Sequence, residues 1–184
     1  MPIQTPICDF GQKALPFELK STDNKIISLD NIKGENGTLI MFICNHCPYV
    51  KAVTKEIVED CNELKKIGIN SVAICSNDAV NYPDDSFDNM IKFSNDNQFN
   101  FPYLQDETQE IAKAYDAVCT PDFFGYNKDL GLQYRGRLRE LKNFVPVKDG
   151  ESDLLKAMKQ IAETGKGPQN QIPSACCGIK WKYD

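Results

Sequence analysis

The spacing of apolar and polar positions switches twice near the middle of the chain and outlines a strand–helix–strand core. Thr38-Leu39-Ile40-Met41-Phe42-Ile43 is a near-continuous apolar run that follows a polar, glycine-containing stretch from Asn31 to Gly37. Such a run marks a strand covered on both faces, as at the centre of a sheet. Val50, Val53, Ile57, Cys61 and Leu64 then recur at intervals of three and four, with Lys51, Lys55, Glu56, Lys65 and Lys66 on the other side. That spacing predicts an amphipathic helix, which Gly68 ends in a C-cap role. Ile69 to Cys75 repeats the buried-strand pattern. Two strands joined by a helix in this length make a right-handed βαβ unit with the strands parallel.

Weaker patterns flank this unit. Pro16–Lys20 and Lys25–Ser28 read as short strands around the turn Thr22-Asp23-Asn24. Asn77 to Asp85 is polar and loop-like, and Ser86 can cap a helix carrying Phe87, Met90 and Ile91. A further helix is expected from about Glu107 to Tyr115. Asp122–Tyr126 and Leu132–Arg135 flank a loop closed by Gly131, the pattern of a hairpin whose aromatics Phe123, Phe124 and Tyr126 pack inward. Arg135, Arg137 and Arg139 are expected to be a solvated strand edge. Leu154, Leu155, Met158 and Ile161 predict a last helix ended by Gly165. The expected class is α/β, a central mixed sheet flanked by helices with an N-terminal β extension. One domain over residues 10–165 is expected, with a loose arm at 1–9 and an irregular tail at 166–184, as 184 residues allow.

Composition narrows the chemistry. With 41% hydrophobic and 26% charged residues the chain reads as globular rather than disordered. Its 26 acidic against 21 basic residues argue against nucleic-acid or anionic-membrane partners, which call for a basic excess. No apolar run approaches the ~20 residues of a transmembrane helix. The first residues lack the charged and apolar regions of a signal peptide, so a cytoplasmic location is expected. The single histidine, His46, excludes Cys2His2 zinc fingers, HExxH proteases and tri-histidine centres. The eight cysteines, without a secretory signal, are expected to be thiols rather than a disulfide framework.

The candidate site is Cys44-Asn45-His46-Cys47-Pro48, between the buried strand and the amphipathic helix. Unpaired N–H groups and the macrodipole at a helix N-terminus favour an anion, and a thiolate is such an anion. Two intervening residues let both sulfurs meet, and His46 can add a charge or a donor beside them. The implied chemistry is thiol–disulfide exchange. Pro48 fits the first helical position, which makes Cys47 the N-cap. Spacing leaves open which thiol attacks; Cys44, at the outer end of the strand, is preferred, with Cys47 resolving. A zinc site would need four ligands, and the other cysteines do not repeat the CxxC spacing. Cys61 and Cys75 fall on apolar patterns and read as core residues. Cys8 could be either core or reagent, and Cys176 and Cys177 belong to the tail.

These motifs resemble the thioredoxin superfamily, in its redoxin and peroxiredoxin-like, AhpC/TSA-related branch. The resemblance spans about residues 10 to 145. It rests on Leu15-Pro16-Phe17-Glu18-Leu19, on Asp23-Asn24-Lys25 through Ser28-Leu29 and Lys33-Gly34, on Cys44 to Lys51, and on Val118-Cys119-Thr120-Pro121. Cys177-Gly178-Ile179-Lys180-Trp181-Lys182 resembles a C-terminal element of an uncharacterised peroxiredoxin-like group. The resemblance implies a thioredoxin fold in which Pro121 is a cis-proline facing the redox pair. Thr120 and Pro121 would then hold an extended substrate, and Cys119 becomes a possible accessory thiol. It departs from thioredoxins in carrying Asn45-His46 between the cysteines. It departs from the peroxiredoxin P-x-x-x-T-x-x-C motif in placing Cys44 or Met41 where the peroxide-orienting threonine belongs.

The expectation is therefore a thiol–disulfide oxidoreductase acting in cell redox homeostasis, with Cys44, Cys47 and His46 catalytic. It needs no cofactor or metal. Its partners would be a protein or small-molecule disulfide and a cellular dithiol reductant, not nucleic acid or membrane. The alternative is an antioxidant thiol peroxidase reducing hydroperoxides through Cys47 or Cys44, and a third option is a non-catalytic zinc-binding module.

Overall fold

The structure is a computed structural model that describes residues 2–183. In chain order its elements are β1 (Ile3–Gln4), β2 (Glu18–Ser21), β3 (Ile26–Ser28), α1 (Leu29–Ile32), β4 (Gly37–Phe42), α2 (Pro48–Lys66) and β5 (Ile69–Cys75). A short 3-10 turn at Pro83–Asp85 leads into α3 (Phe87–Asp96), β6 (Tyr103–Gln105), α4 (Glu110–Ala114), β7 (Cys119–Thr120), β8 (Asp122–Tyr126) and β9 (Leu132–Arg135). The chain ends with β10 (Leu141–Lys142), β11 (Val145–Pro146), α5 (Asp153–Thr164) and β12 (Ala175–Gly178).

The main sheet runs β3-β2-β6-β5-β4-β8-β9. β4, β5 and β6 are parallel, and the other neighbours are antiparallel. Every residue of β4 is buried, as its unbroken apolar run requires. Successive side chains point to opposite faces and build two cores. On one face Leu39, Met41 and Ile43 meet Val50, Val53, Ile57 and Leu64 of α2 and Leu154, Met158 and Ile161 of α5. On the other, Ile40, Phe42 and Phe124 meet Leu29 and Ile32 of α1 and Ala112 of α4. Phe42 stands edge-on to Phe124 with ring centres 5.6 Å apart. This is the thioredoxin arrangement that the motifs imply.

α2 ends where the sequence places its stop. Gly68 adopts φ +82°, which an L side chain resists. Asn36 Nδ2 donates to the Ile67 carbonyl at 2.9 Å and so satisfies one of the helix's last acceptors.

Several expectations change. A strand at 103–105 joins the sheet between β2 and β5, where the sequence analysis had none. The helix expected from Glu107 begins only at Glu110. Residues of the arm and the tail are not loose: Ile3 pairs with Cys176 and Gln4 with Ala175, so β1, β12 and β7 form a second small sheet. The arginines are not a solvated edge. Arg135 and Arg139 are buried and hold Asp122 and Glu56 in bidentate pairs, with nitrogen–oxygen distances of 2.6–3.1 Å. Glu56 therefore leaves the polar side of α2. Charge-paired burial, which solvation alone would oppose, wins because each guanidinium finds a matching carboxylate. Arg137 pairs with Asp153 at 2.7 Å.

Candidate functional site

β4 carries its chain directly into the site. Ile43 N–H still donates to the Ile74 carbonyl at 3.0 Å, and the next four residues form the loop before Pro48 opens α2. Cys47 is the N-cap, with extended backbone at φ −66° and ψ 125°. Its carbonyl accepts the first helical bond, from Lys51 N–H at 2.9 Å. The sequence-predicted pair thus sits as expected at the positive end of a helix.

Thr120 closes the site from across the sheet, and the Thr120–Pro121 peptide bond is cis. The Cys47 thiol donates to the Thr120 carbonyl at 3.3 Å, while Cys44 Sγ lies 3.4 Å from the Thr120 hydroxyl. Cys44 and Cys47 are each only 1% exposed. Such burial opposes ionisation, yet the two thiols respond in opposite directions. Cys47 is brought down to about 5, chiefly by a hydrogen bond with Cys44, with the Val50 amide, Cys177 and Thr120 adding to it against the cost of burial. The Cys47 sulfur makes no formed capping hydrogen bond, so the Val50 amide acts as a nearby dipole. Cys44 is pushed up by that same bond, by burial, and by the charges of Asp85 and Cys75. The helix end thus serves Cys47, whereas Cys44 faces a carboxylate.

That carboxylate was not singled out in the sequence. Asp85 is 1% exposed at the end of the 3-10 turn. It accepts the Asn45 backbone N–H and the Asn77 side-chain amide, each at 2.8 Å. His46 aims Nδ1 at Asp85 Oδ2 across 2.6 Å, off the direction of a well-formed hydrogen bond, and its ring lies parallel to Tyr82. His46 is thus oriented by Asp85. Cys44, His46 and Asp85 bring one donor atom each within 4.8 Å of one another. This is the group among the described residues with a metal-ligating pattern, and it supplies three donors where a structural zinc site takes four.

Of the other cysteines, Cys61 and Cys75 are core residues as expected, each thiol pushed up to about 12 by burial. Cys119 is a correction: it forms a disulfide with Cys176, Cα atoms 5.6 Å apart, rather than serving as a free accessory thiol. The expectation of eight free thiols is corrected with it, because β7 and β12 pair and bring the two side chains together. Beside Thr120 lies a cleft of about 410 Å³ lined by Tyr49, Pro121, Phe123, Phe144 and Ile172.

The AhpC/TSA family matches residues 10–140, a span that takes in the whole Cys44–Thr120 site. The chain belongs to the AhpC/TSA family. This AhpC/TSA chain is similar over its full length to an uncharacterized conserved protein from Geobacillus kaustophilus, with 42% identity, 98% of that chain covered and a TM-score of 0.93. It is also similar over its full length to a hypothetical protein from Sinorhizobium meliloti 1021, with 29% identity, 100% of that chain covered and a TM-score of 0.90. A thioredoxin family thiol:disulfide interchange protein from Chlorobium tepidum TLS shares the fold at 14% identity, with 83% of this chain and 97% of that one covered and a TM-score of 0.64. No curated protein matches.

Proposed function

We propose that this AhpC/TSA protein is a thiol–disulfide oxidoreductase that works through the Cys44–Cys47 pair. The observation that carries this reading is the meeting of both sulfurs at the positive end of α2 against the residue before a cis-proline, Cys47 at 3.3 Å from the Thr120 carbonyl and Cys44 at 3.4 Å from its hydroxyl, with the Cys47 pKa drawn down. Cys47 attacks a substrate disulfide; the substrate S–S bond breaks, and one substrate sulfur leaves as a thiol after taking a proton from solvent. Cys44 then attacks Cys47, releasing the second substrate thiol and closing a Cys44–Cys47 disulfide. Asp85 and His46 are the groups placed to receive the Cys44 proton. Pro121 lines the cleft with Tyr49 and Phe144 that would receive the substrate, while the backbone edge at Thr120 is covered by β12. A cellular dithiol restores the pair.

Peroxidase activity is a second reading, favoured by the family and by a Cys47 thiol whose pKa is drawn down. Against it, the chain's three arginines are engaged by Asp122, Asp153 and Glu56, leaving none to orient a peroxide.

The test is dithiol-coupled reduction of insulin and of a small disulfide. Wild type should turn over, Cys47→Ser should be inactive, and Cys44→Ser should still react at Cys47 but form no Cys44–Cys47 disulfide. An inert wild type sinks the proposal. Rapid peroxide consumption with a sulfenic acid on Cys47, and no disulfide reduction, moves the assignment to the peroxidase.

A further inference from the structure

A third sulfur stands beside the buried pair. β12 lies antiparallel to β7, with Cys177 opposite Thr120 and Gly178 opposite Cys119. Thr120 is the residue whose carbonyl meets Cys47 and whose hydroxyl meets Cys44. The backbone edge next to Pro121, where an extended substrate would add as a strand, is therefore filled by the chain's own strand. Opposite Thr120 that strand carries a cysteine, and Cys177 packs against the cluster that holds Cys44 and Cys47.

We propose that β12 is a built-in stand-in for substrate, and that Cys177 exchanges with Cys47 as a third redox thiol of the site. This rests on the thiol–disulfide reading above. The placement is fixed from both sides. Cys176 is bonded to Cys119, β1 pairs with the outer edge of β12, and Ile179 N–H donates to the Val118 carbonyl at 3.1 Å. Beyond it, Lys180 N–H donates to Asn77 Oδ1 at 2.9 Å. Cys177 is also the half-buried member of the three, whereas Cys44 and Cys47 are shut off from solvent.

Charge distinguishes the two thiols that could resolve an adduct on Cys47. Cys177 is held up at about 11 by burial and by the Cys47 charge, and Lys180 draws it down. Once Cys47 is bonded to substrate its charge is gone, which leaves burial offset by Lys180. Cys44 in the same state loses its Cys47 partner but stays 1% exposed beside the Asp85 carboxylate, whereas Cys177 is half-buried beside Lys180. Cys177 attacks Cys47 Sγ, the bond to the substrate sulfur breaks, and that sulfur leaves as a thiol with the proton Cys177 gave up. Cys44 next attacks Cys47, which frees Cys177 and forms Cys44–Cys47. The net reaction converts one substrate disulfide and two protein thiols into two substrate thiols and one protein disulfide.

Full-length protein in a Cys8→Ser background, treated with the aromatic disulfide dithiobis(nitrobenzoate), tests this. The Cys44→Ser variant should release two equivalents of aromatic thiol. Trypsin digestion without reductant should join peptide 34–51 to peptide 167–180. The Cys44→Ser/Cys177→Ser variant should release one equivalent and keep the adduct on Cys47. Release of one equivalent by Cys44→Ser itself, with a stable Cys47 adduct, overturns the proposal. So does the same peptide linkage formed without Cys177, which would assign the exchange to Cys176. The otherwise unchanged Cys8→Ser protein is the reference: if its Cys47 does not react, the oxidoreductase reading has failed and this inference falls with it. If it reacts and closes Cys44–Cys47, a negative result with Cys44→Ser counts against Cys177 alone.

Discussion

Asp85 holds its carboxylate within 4.8 Å of the Cys44 sulfur and raises the pH at which that thiol ionises. The same carboxylate ties Asn45 and Asn77 together, so it is both a structural anchor and the negative neighbour of Cys44. In a Cys47→Ser background, where Cys44 is the remaining thiol of the motif, Asp85→Asn should lower the Cys44 pKa and speed its alkylation at alkaline pH. Unchanged alkylation would show that the carboxylate does not act on Cys44. Removal of a buried charged acceptor should also cost about 1–3 kcal/mol in urea denaturation.

Cys47 sets a pH dependence of both reactivity and stability. Its alkylation rate should reach half its maximum near pH 5 rather than near the ordinary thiol value of 9. A thiol whose pKa falls on folding stabilises the folded state fully above its unfolded value, and that contribution is lost as pH drops through the folded one. Wild type should therefore lose urea resistance relative to Cys47→Ser between pH 9 and pH 5. Cys44, raised on folding, acts with opposite sign and only above its ordinary value, so this window belongs to Cys47. A constant difference between the two proteins across that range would refute the assignment of the thiolate.

Arg139 and Glu56 form a buried pair whose members cannot be removed singly without cost. Arg139 also donates to the carbonyls of Val147 and Gly150, both at 2.9 Å, so it fixes the segment before α5. Arg139→Met should destabilise by about 3–5 kcal/mol, because Glu56 is left buried and unpaired. Adding Glu56→Gln should recover part of that loss. A change below 1 kcal/mol for Arg139→Met alone, read by urea denaturation, would show that Glu56 escapes to solvent.

The Cys119–Cys176 bond closes a long loop, with a sequence separation of 57. On the loop-entropy account its removal in Cys119→Ala/Cys176→Ala should cost about 4 kcal/mol. Amide exchange at Cys177 and Gly178 should quicken more than at β4. Equal protection of β12 with and without the bond would show that β1 and β7 hold the strand unaided.

The parts of the fold legible in the sequence are those set by local periodicity. β4, α2, β5 and the β8–β9 hairpin each show their burial in their own spacing, and Pro48 and Gly68 mark the ends of α2. β6 was not legible because three residues between Pro102 and Asp106 are too few to show a period. The arginines misled because their partners, 13 and 83 residues away, are chosen by tertiary structure. The site shows the same split. Cys44, Cys47 and Thr120-Pro121 stood out as motifs. Asp85 did not, since nothing in a polar loop distinguishes a carboxylate that folds inward from one that stays in water. Nor could spacing among eight cysteines reveal that Cys119 takes Cys176 and leaves Cys177 facing Cys47.

β1 lies edge to edge with β12, so two residues near one end of the fold clamp the strand that covers Cys44 and Cys47. Substitution of Ile3 and Gln4 by proline should unzip that seam and leave both sulfurs open to solvent. Such a protein would ask whether opening of this strand, rather than chemistry at sulfur, governs the rate of turnover.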